Sequence, residues 1–200
     1  MAGPFDAVTP ADLTDLIAAY PLAWVVSQGA DEPAATPLPL MARVDAEGRI
    51  DRLIGHFARS NPQVELLRTS PRALILFQGP HGYMSPSWVS DRTWAPTWNY
   101  AVIRIEADVH FVPGLTDLAL EDLVDQMEAQ RPHAWSIAEL GDRYATLRTR
   151  IIAFEAHVRR LEHRFKLGQD ERPAVLRELL AHCEDSALVH WMQHMNPGRT

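Results

Sequence analysis

Arg59, Ser60 and Asn61 stand before Pro62 in a stretch that predicts the start of a short helix, because Asn caps helices and Pro suits their first position. Unpaired N–H groups and the positive dipole end of such a helix, with a guanidinium beside them, make an anion site. The same residues also suit a purely structural role, with Asn61 capping and Arg59 paired to a surface carboxylate. His56, at the end of the preceding apolar segment, is either a hydrogen-bonded structural group or a ligand or base. Tyr83, Trp88, Trp94 and Trp98 offer faces on which a planar ligand could stack, and equally serve as core or interface anchors. Trp88 and Trp98 have polar neighbours, Ser87 and Asn99, which favours them as ligand contacts.

These groups need a scaffold. Thr9-Pro10-Ala11-Asp12 opens a helix that reaches about Tyr20. Apolar segments at 22–28, 36–44 and 50–56, separated by Gly29, Asp31, Pro33 and the stretch 45–48, predict consecutive antiparallel strands. A helix from 62 to about 69 and a buried strand at 73–77 follow. Residues 79–98, rich in Pro, Gly and aromatics, predict a long ordered connection. From Ala101 to Phe111 apolar and polar residues alternate as in a half-exposed strand, and helices are predicted at 114–130 and 137–148. Segment 151–165 fits helical spacing and also alternation with a phase slip near Arg159; its β-branched opening favours a strand with a bulge. A helical region from about 173 to 195, breaking near 184–186, ends the sequence.

Composition limits the function classes. With 46% hydrophobic residues over 200 positions, the chain suits one soluble domain, 1–200, with a C-terminal helical extension at about 172–196. The short apolar runs predict no membrane span, and the single cysteine, Cys183, agrees with a reducing cytoplasm. A net charge of -7 and the lack of helix-turn-helix text argue against direct DNA binding. His190 and His194 lie four apart but lack the glutamate of an H-E-x-x-H zinc site, so a solvated helix face is the expectation.

Four blocks in register resemble the PaiB-like family, described as FMN-binding negative transcriptional regulators. They are Gly55-His56-Phe57-Ala58-Arg59-Ser60-Asn61-Pro62, the stretch Phe77 to Trp88, Pro96-Thr97-Trp98-Asn99-Tyr100, and Lys166-Leu167-Gly168-Gln169. The resemblance implies a mainly β protein with peripheral helices: an antiparallel split β-barrel of six or seven strands, homodimeric, with FMN as cofactor. It further implies that His56, Arg59, Ser60, Asn61, Ser87, Trp88, Trp98, Asn99, Lys166 and Gln169 approach the FMN. Gly168 and Asp170 depart from the family's usual K-L-S-Q-N text. Piperazate synthases, related haem enzymes, carry an aspartate where this chain has Asn99, which sets it nearer the regulator branch. Haem is the rival cofactor, with His56 as its natural axial ligand. A cofactor-binding regulator, an FMN-dependent oxidoreductase and a haem protein remain as functions.

Overall fold

The computed structural model describes residues 3–29 and 32–200. Among these residues seven strands form one sheet in the order β2-β1-β5-β6-β7-β4-β3. The strands are β1 (Leu22–Gln28), β2 (Pro33–Pro39), β3 (Met41–Val44), β4 (Ile50–Ala58), β5 (Arg72–Met84), β6 (Thr97–Phe111) and β7 (Ile151–Lys166). Among the described residues six helices accompany them: α1 (Ala11–Ala19), α2 (Gln63–Thr69), α3 (Thr116–Glu128), α4 (Arg143–Arg148), α5 (Pro173–His182) and α6 (Ser186–His194). Single 3-10 turns at Pro86–Trp88, Pro113–Leu115 and Ile137–Leu140 complete the elements.

Several predicted elements change their bounds. The segment 36–44 is two strands, because the chain changes partner at Leu40: β2 pairs with β1, and β3 pairs with β4. Leu40 is fully buried, and its N–H donates to Pro21 O at 2.9 Å. The connection expected over 79–98 is shorter, since β5 runs on to Met84 and β6 begins at Thr97. The helix expected at 137–148 is broken at Gly141, whose φ of 52° favours glycine, leaving a 3-10 turn and α4. Segment 151–165 is a strand, in which burial passes from Ile152, Phe154 and Ala156 to Phe165, a change of phase. Asp31, expected in the first turn, lies outside the described residues.

The chain forms two compact units, and β5, β6 and β7 contribute residues to both. One unit comprises Thr14–Phe77 and Arg104–Leu161. Its core is built by strand alternation: Ala23 and Val25, Ala73, Ile75 and Phe77, Ile105, Ala107 and Val109, Leu53 and Phe57 are all buried. Phe57 and Phe154 pack with ring centroids 5.2 Å apart, and Phe111 lies 6.0 Å from Phe57. Ala119 of α3 joins Met41, Ile54 and Ala153 in a second cluster, which seats that helix against β3, β4 and β7.

The outer surface of this unit carries both charge and apolar side chains. Arg72 and Arg159 both bond Asp108, at 3.1 and 2.8 Å, in a charged ladder. By contrast, Leu22, Trp24 and Leu76 remain 63%, 52% and 37% exposed, with Trp24 directly opposite Leu76 and Val26 opposite Leu74.

The other unit comprises Met1–Leu13, Gln78–Ile103 and Glu162–Thr200. Phe165 stacks on Trp191 with centroids 5.8 Å apart, among buried Leu167, Leu176, Leu179 and Met192. Gly82 is required by close approach, since a Cβ there would lie 2.8 Å from Leu188 Cδ2. Polar contacts tie loop 89–96 to the C-terminal helical region. Ser90 N and Oγ donate to Glu178 at 2.8 and 2.7 Å, Trp94 Nε1 donates to Glu171 at 2.8 Å, and Arg172 pairs with Asp91. Among the described residues, no helix is long and apolar enough to cross a membrane.

Candidate functional site

The block from Gly55 to Gln63 is held from both sides. A Cβ at Gly55 would sit 2.3 Å from Leu40 Cδ2 and 3.1 Å from Phe154 Cζ, so glycine lets β4 lie close to its neighbours. After Ala58, Arg59 N donates to Arg150 O at 2.8 Å, carrying the β4–β7 pairing one residue further. Asn61 then turns the chain into α2, its Oδ1 accepting from Gln63 N at 2.9 Å and its Nδ2 donating to Thr36 Oγ1 at 3.0 Å. Gln63 is buried, and its Nε2 donates to Val25 O at 2.9 Å and to Ser27 Oγ at 3.0 Å. The Asn61 side chain is therefore occupied in positioning α2 on β1 and β2. Arg59 and Ser60 are exposed, and Arg59 forms no ion pair with the described residues.

Two cavities include residues of this block, and a third shares one lining residue with the first. The first, about 430 Å³, is lined by Arg59, Pro113, Thr116, Ala145, Arg148 and Thr149. Two guanidiniums and two threonines thus border one cleft. The second, about 370 Å³, shares Arg148 with it and is walled by Leu120, Val124, Ile137, Leu140, Leu147 and Ile151, with Trp135, Tyr144, Arg150 and His56. His56 lines this cavity, and its Nδ1 is buried without a hydrogen-bond partner among the described residues. Burial lowers the His56 pKa from 6.5, so the imidazole is neutral at physiological pH. The third cavity, about 350 Å³, meets the first at Pro113 and is bordered by Arg68, His110 and Phe111.

Arg148, common to the first two cavities, is held in place. Its Nη2 lies 2.9 Å from Asp117 Oδ2, and its guanidinium is 5.9 Å from the Tyr144 ring centroid. Tyr144 Oη also donates to Asp117. Burial, reinforced by that carboxylate, pushes the phenol up to about 12, so it stays protonated. Sequence reading missed Arg148, Arg150, Tyr144 and Trp135. The only signal was the four-residue spacing of Tyr144 and Arg148, which puts both on one helix face.

The other residues expected at the site lie in the second unit. Ser87 is exposed in the 3-10 turn and Trp88 is half-buried. Trp98 is 55% exposed, edge-on to Tyr83 with centroids 5.9 Å apart. Asn99 is buried: its Nδ2 approaches Met192 Sδ at 3.5 Å, and its Oδ1 has no partner among the described residues. Lys166 Nζ donates to Thr97 Oγ1 at 2.9 Å and lies 3.9 Å from Asp170. Gln169 braces its own turn, accepting from Leu167 N at 2.7 Å and donating to Phe165 O at 2.6 Å. Gly168 has a φ of 93°, a conformation a serine would adopt only with strain, which accounts for glycine at that position. His190 and His194 stack with centroids 6.5 Å apart, and His194 Nε2 bonds Asp12 at 2.8 Å. Among the described residues, no cluster of three or more His, Cys, Asp or Glu could hold a metal.

A family model described as "Putative FMN-binding domain" matches residues 1–160. The "Protease synthase and sporulation protein PAI 2" of Bacillus subtilis is 34% identical over 109 residues, covering 54% of this chain and 50% of that protein. The chain thus spans about half the length of that relative. An uncharacterized protein of Saccharomyces cerevisiae is 27% identical over 132 residues, covering 60% of this chain and 78% of its own. In fold, the chain is similar to the FAD and heme binding protein from Mycobacterium smegmatis, with TM-score 0.57 at 17% identity over 80% of this chain and 72% of that one. A conserved hypothetical protein from Mycobacterium tuberculosis gives TM-score 0.57 at 12% identity over 83% of this chain and 89% of that one. At these identities the likeness is one of fold, the split barrel of flavin-binding proteins. With the family model matched over residues 1–160 and the motif blocks in their order, the chain belongs to the PaiB-like family of FMN-binding split-barrel proteins.

Proposed function

We propose that this chain binds FMN in the two cavities joined at Arg148 and works as a cofactor-binding regulator. The observation that carries this reading is one cleft bordered by Arg59 and Arg148, which shares Arg148 with an apolar cavity lined in part by His56. The donor set fits the group. A phosphate needs charged donors, which Arg59, Arg148 and the hydroxyl of Thr149 supply. An isoalloxazine ring needs a flat apolar slot with a few polar atoms at its edge, and the Leu120–Ile151 side of the second cavity offers one, with His56 beside it. Asp117 would orient Arg148 toward the phosphate, and Trp135 and Leu140 would keep water from the ring. Bound flavin would supply redox chemistry that protein side chains lack.

Regulation is suggested by the name of the Bacillus relative, and the acidic chain favours action through a protein partner over direct DNA contact. The exposed apolar face of Leu22, Trp24 and Leu76 supports a homodimer, and the unpaired Cys183 thiol suits the reducing cytoplasm. His56 also favours a second reading, haem held through the imidazole, since a neutral unpartnered nitrogen in an apolar cavity is what an axial ligand requires. The visible spectrum of protein reconstituted with each cofactor separates the two readings. A flavin band retained through gel filtration supports FMN; a Soret band shifted by His56→Ala supports haem. Oxidation of NAD(P)H by the flavin-loaded protein would replace the regulator with an oxidoreductase.

A further inference from the structure

Apart from the two cavities proposed for FMN, the third, of about 350 Å³, has binding chemistry of its own. Among the described residues it has no lining residue in common with the His56 cavity, and it shares Pro113 with the Arg59 cleft. Leu67 of α2, Val109 of β6 and Ile152 of β7 line it with buried apolar side chains. The residues that follow the first two, Arg68 and His110, are exposed and line it as well, so a cation and an imidazole border an apolar wall. The Arg68 guanidinium lies 5.7 Å from the centroid of the Phe111 ring, an attraction that holds it at this cavity. Its Nη1 donates to Glu65 Oε1 at 2.8 Å, the one hydrogen bond the guanidinium makes among the described residues. A guanidinium has several N–H donors, so room remains for a second carboxylate. Glu65 is an exposed neighbour on the same helix, and an exposed pair of this kind yields easily to a competitor.

A buried apolar wall bordered by positive charge complements a ring that bears negative charge. A carboxylate matches the planar fork of a guanidinium, and one arginine beside one imidazole suits a single charge better than the two of a phosphate ester. Phe111 and the His110 ring, itself edge-on to His157 with centroids 5.1 Å apart, offer aromatic contacts. We infer that this cavity binds a small aromatic carboxylate, with its ring on Leu67, Val109 and Ile152 and its carboxylate on Arg68 and His110. No residue proposed to hold FMN takes part, so either site can exist without the other.

Fluorine NMR titration of wild type with 4-fluorobenzoate and with its uncharged counterpart 4-fluorobenzamide tests this. The benzoate should bind saturably and about fivefold or more tightly than the benzamide, and excess FMN should not displace it. Arg68→Ala and His110→Ala, both at exposed positions, should each weaken the benzoate about threefold or more and leave the thermal midpoint near that of wild type. Glu65→Gln removes the competing carboxylate and should tighten benzoate binding about twofold or more. Absence of saturable binding, equal affinity for the two probes, unchanged benzoate affinity in any of the three folded variants, or displacement by FMN would overturn the inference. Benzoate binding as described by a protein that takes up no FMN would overturn the FMN site alone.

Discussion

His56 owes its chemistry to where β4 ends. Its Nδ1 is buried without a partner among the described residues, and burial holds its pKa below 6.5. A depressed folded pKa means that the unfolded chain takes up the proton more readily. The neutral imidazole thus contributes stability above about pH 6.5, which is lost as the pH falls through the lower folded value. Thermal melts between pH 7.5 and 5 should show His56→Gln losing less stability than wild type; equal losses would mean that His56 does not govern this window. Arg59 carries a different expectation. It is exposed and without an ion pair among the described residues, so Arg59→Ala should leave the melting temperature nearly unchanged. A charge-assisted phosphate contact of about 1.5–3 kcal/mol would be lost, weakening FMN about tenfold or more in a fluorescence titration.

At the scale of elements, Gln63 ties α2 to β1 and β2. Its buried amide donates to Val25 O and Ser27 Oγ, and accepts from Thr36 Oγ1 at 2.6 Å. Gln63→Leu leaves those groups unsatisfied, and should cost about 1–3 kcal/mol in urea unfolding. A loss below about half a kilocalorie would mean that water or a shift of α2 replaces the amide. Gln63 drew no attention in the sequence because its partners come from segments 38 and 27 residues away. Elements marked by local text were legible: the helix after Asn61-Pro62, the alternating strand through Ile103 and Ile105, and the break between α5 and α6. Those decided by distant packing were not. Gly79, Pro80 and Gly82 suggest a loop, yet β5 continues through them, with α6 packed against Gly82. In the same way, Arg59 and His56 stood out beside a motif, whereas Arg148 matters only because Asp117 of α3 meets it.

At the scale of the whole molecule, the proposed homodimer would cover the exposed apolar side chains of β1 and β5. Trp24 and Leu76 face each other across the ladder with 52% and 37% of their surface exposed, and exposed aromatics of this kind anchor interfaces. Trp24→Glu would put a charge in that interface, and light scattering at micromolar concentration should then show one chain mass where wild type shows two. A wild-type monomer at every concentration would remove the dimer.

Equilibrium titration of FMN into wild type and Arg148→Ala, with circular dichroism to show that the variant is folded, decides whether FMN occupies the two cavities that share Arg148. Wild type should bind one FMN per chain saturably, and the variant should bind about tenfold or more weakly, since a charged donor to the phosphate is lost. Equal affinity in the folded variant, or no binding by wild type, would contradict that occupancy.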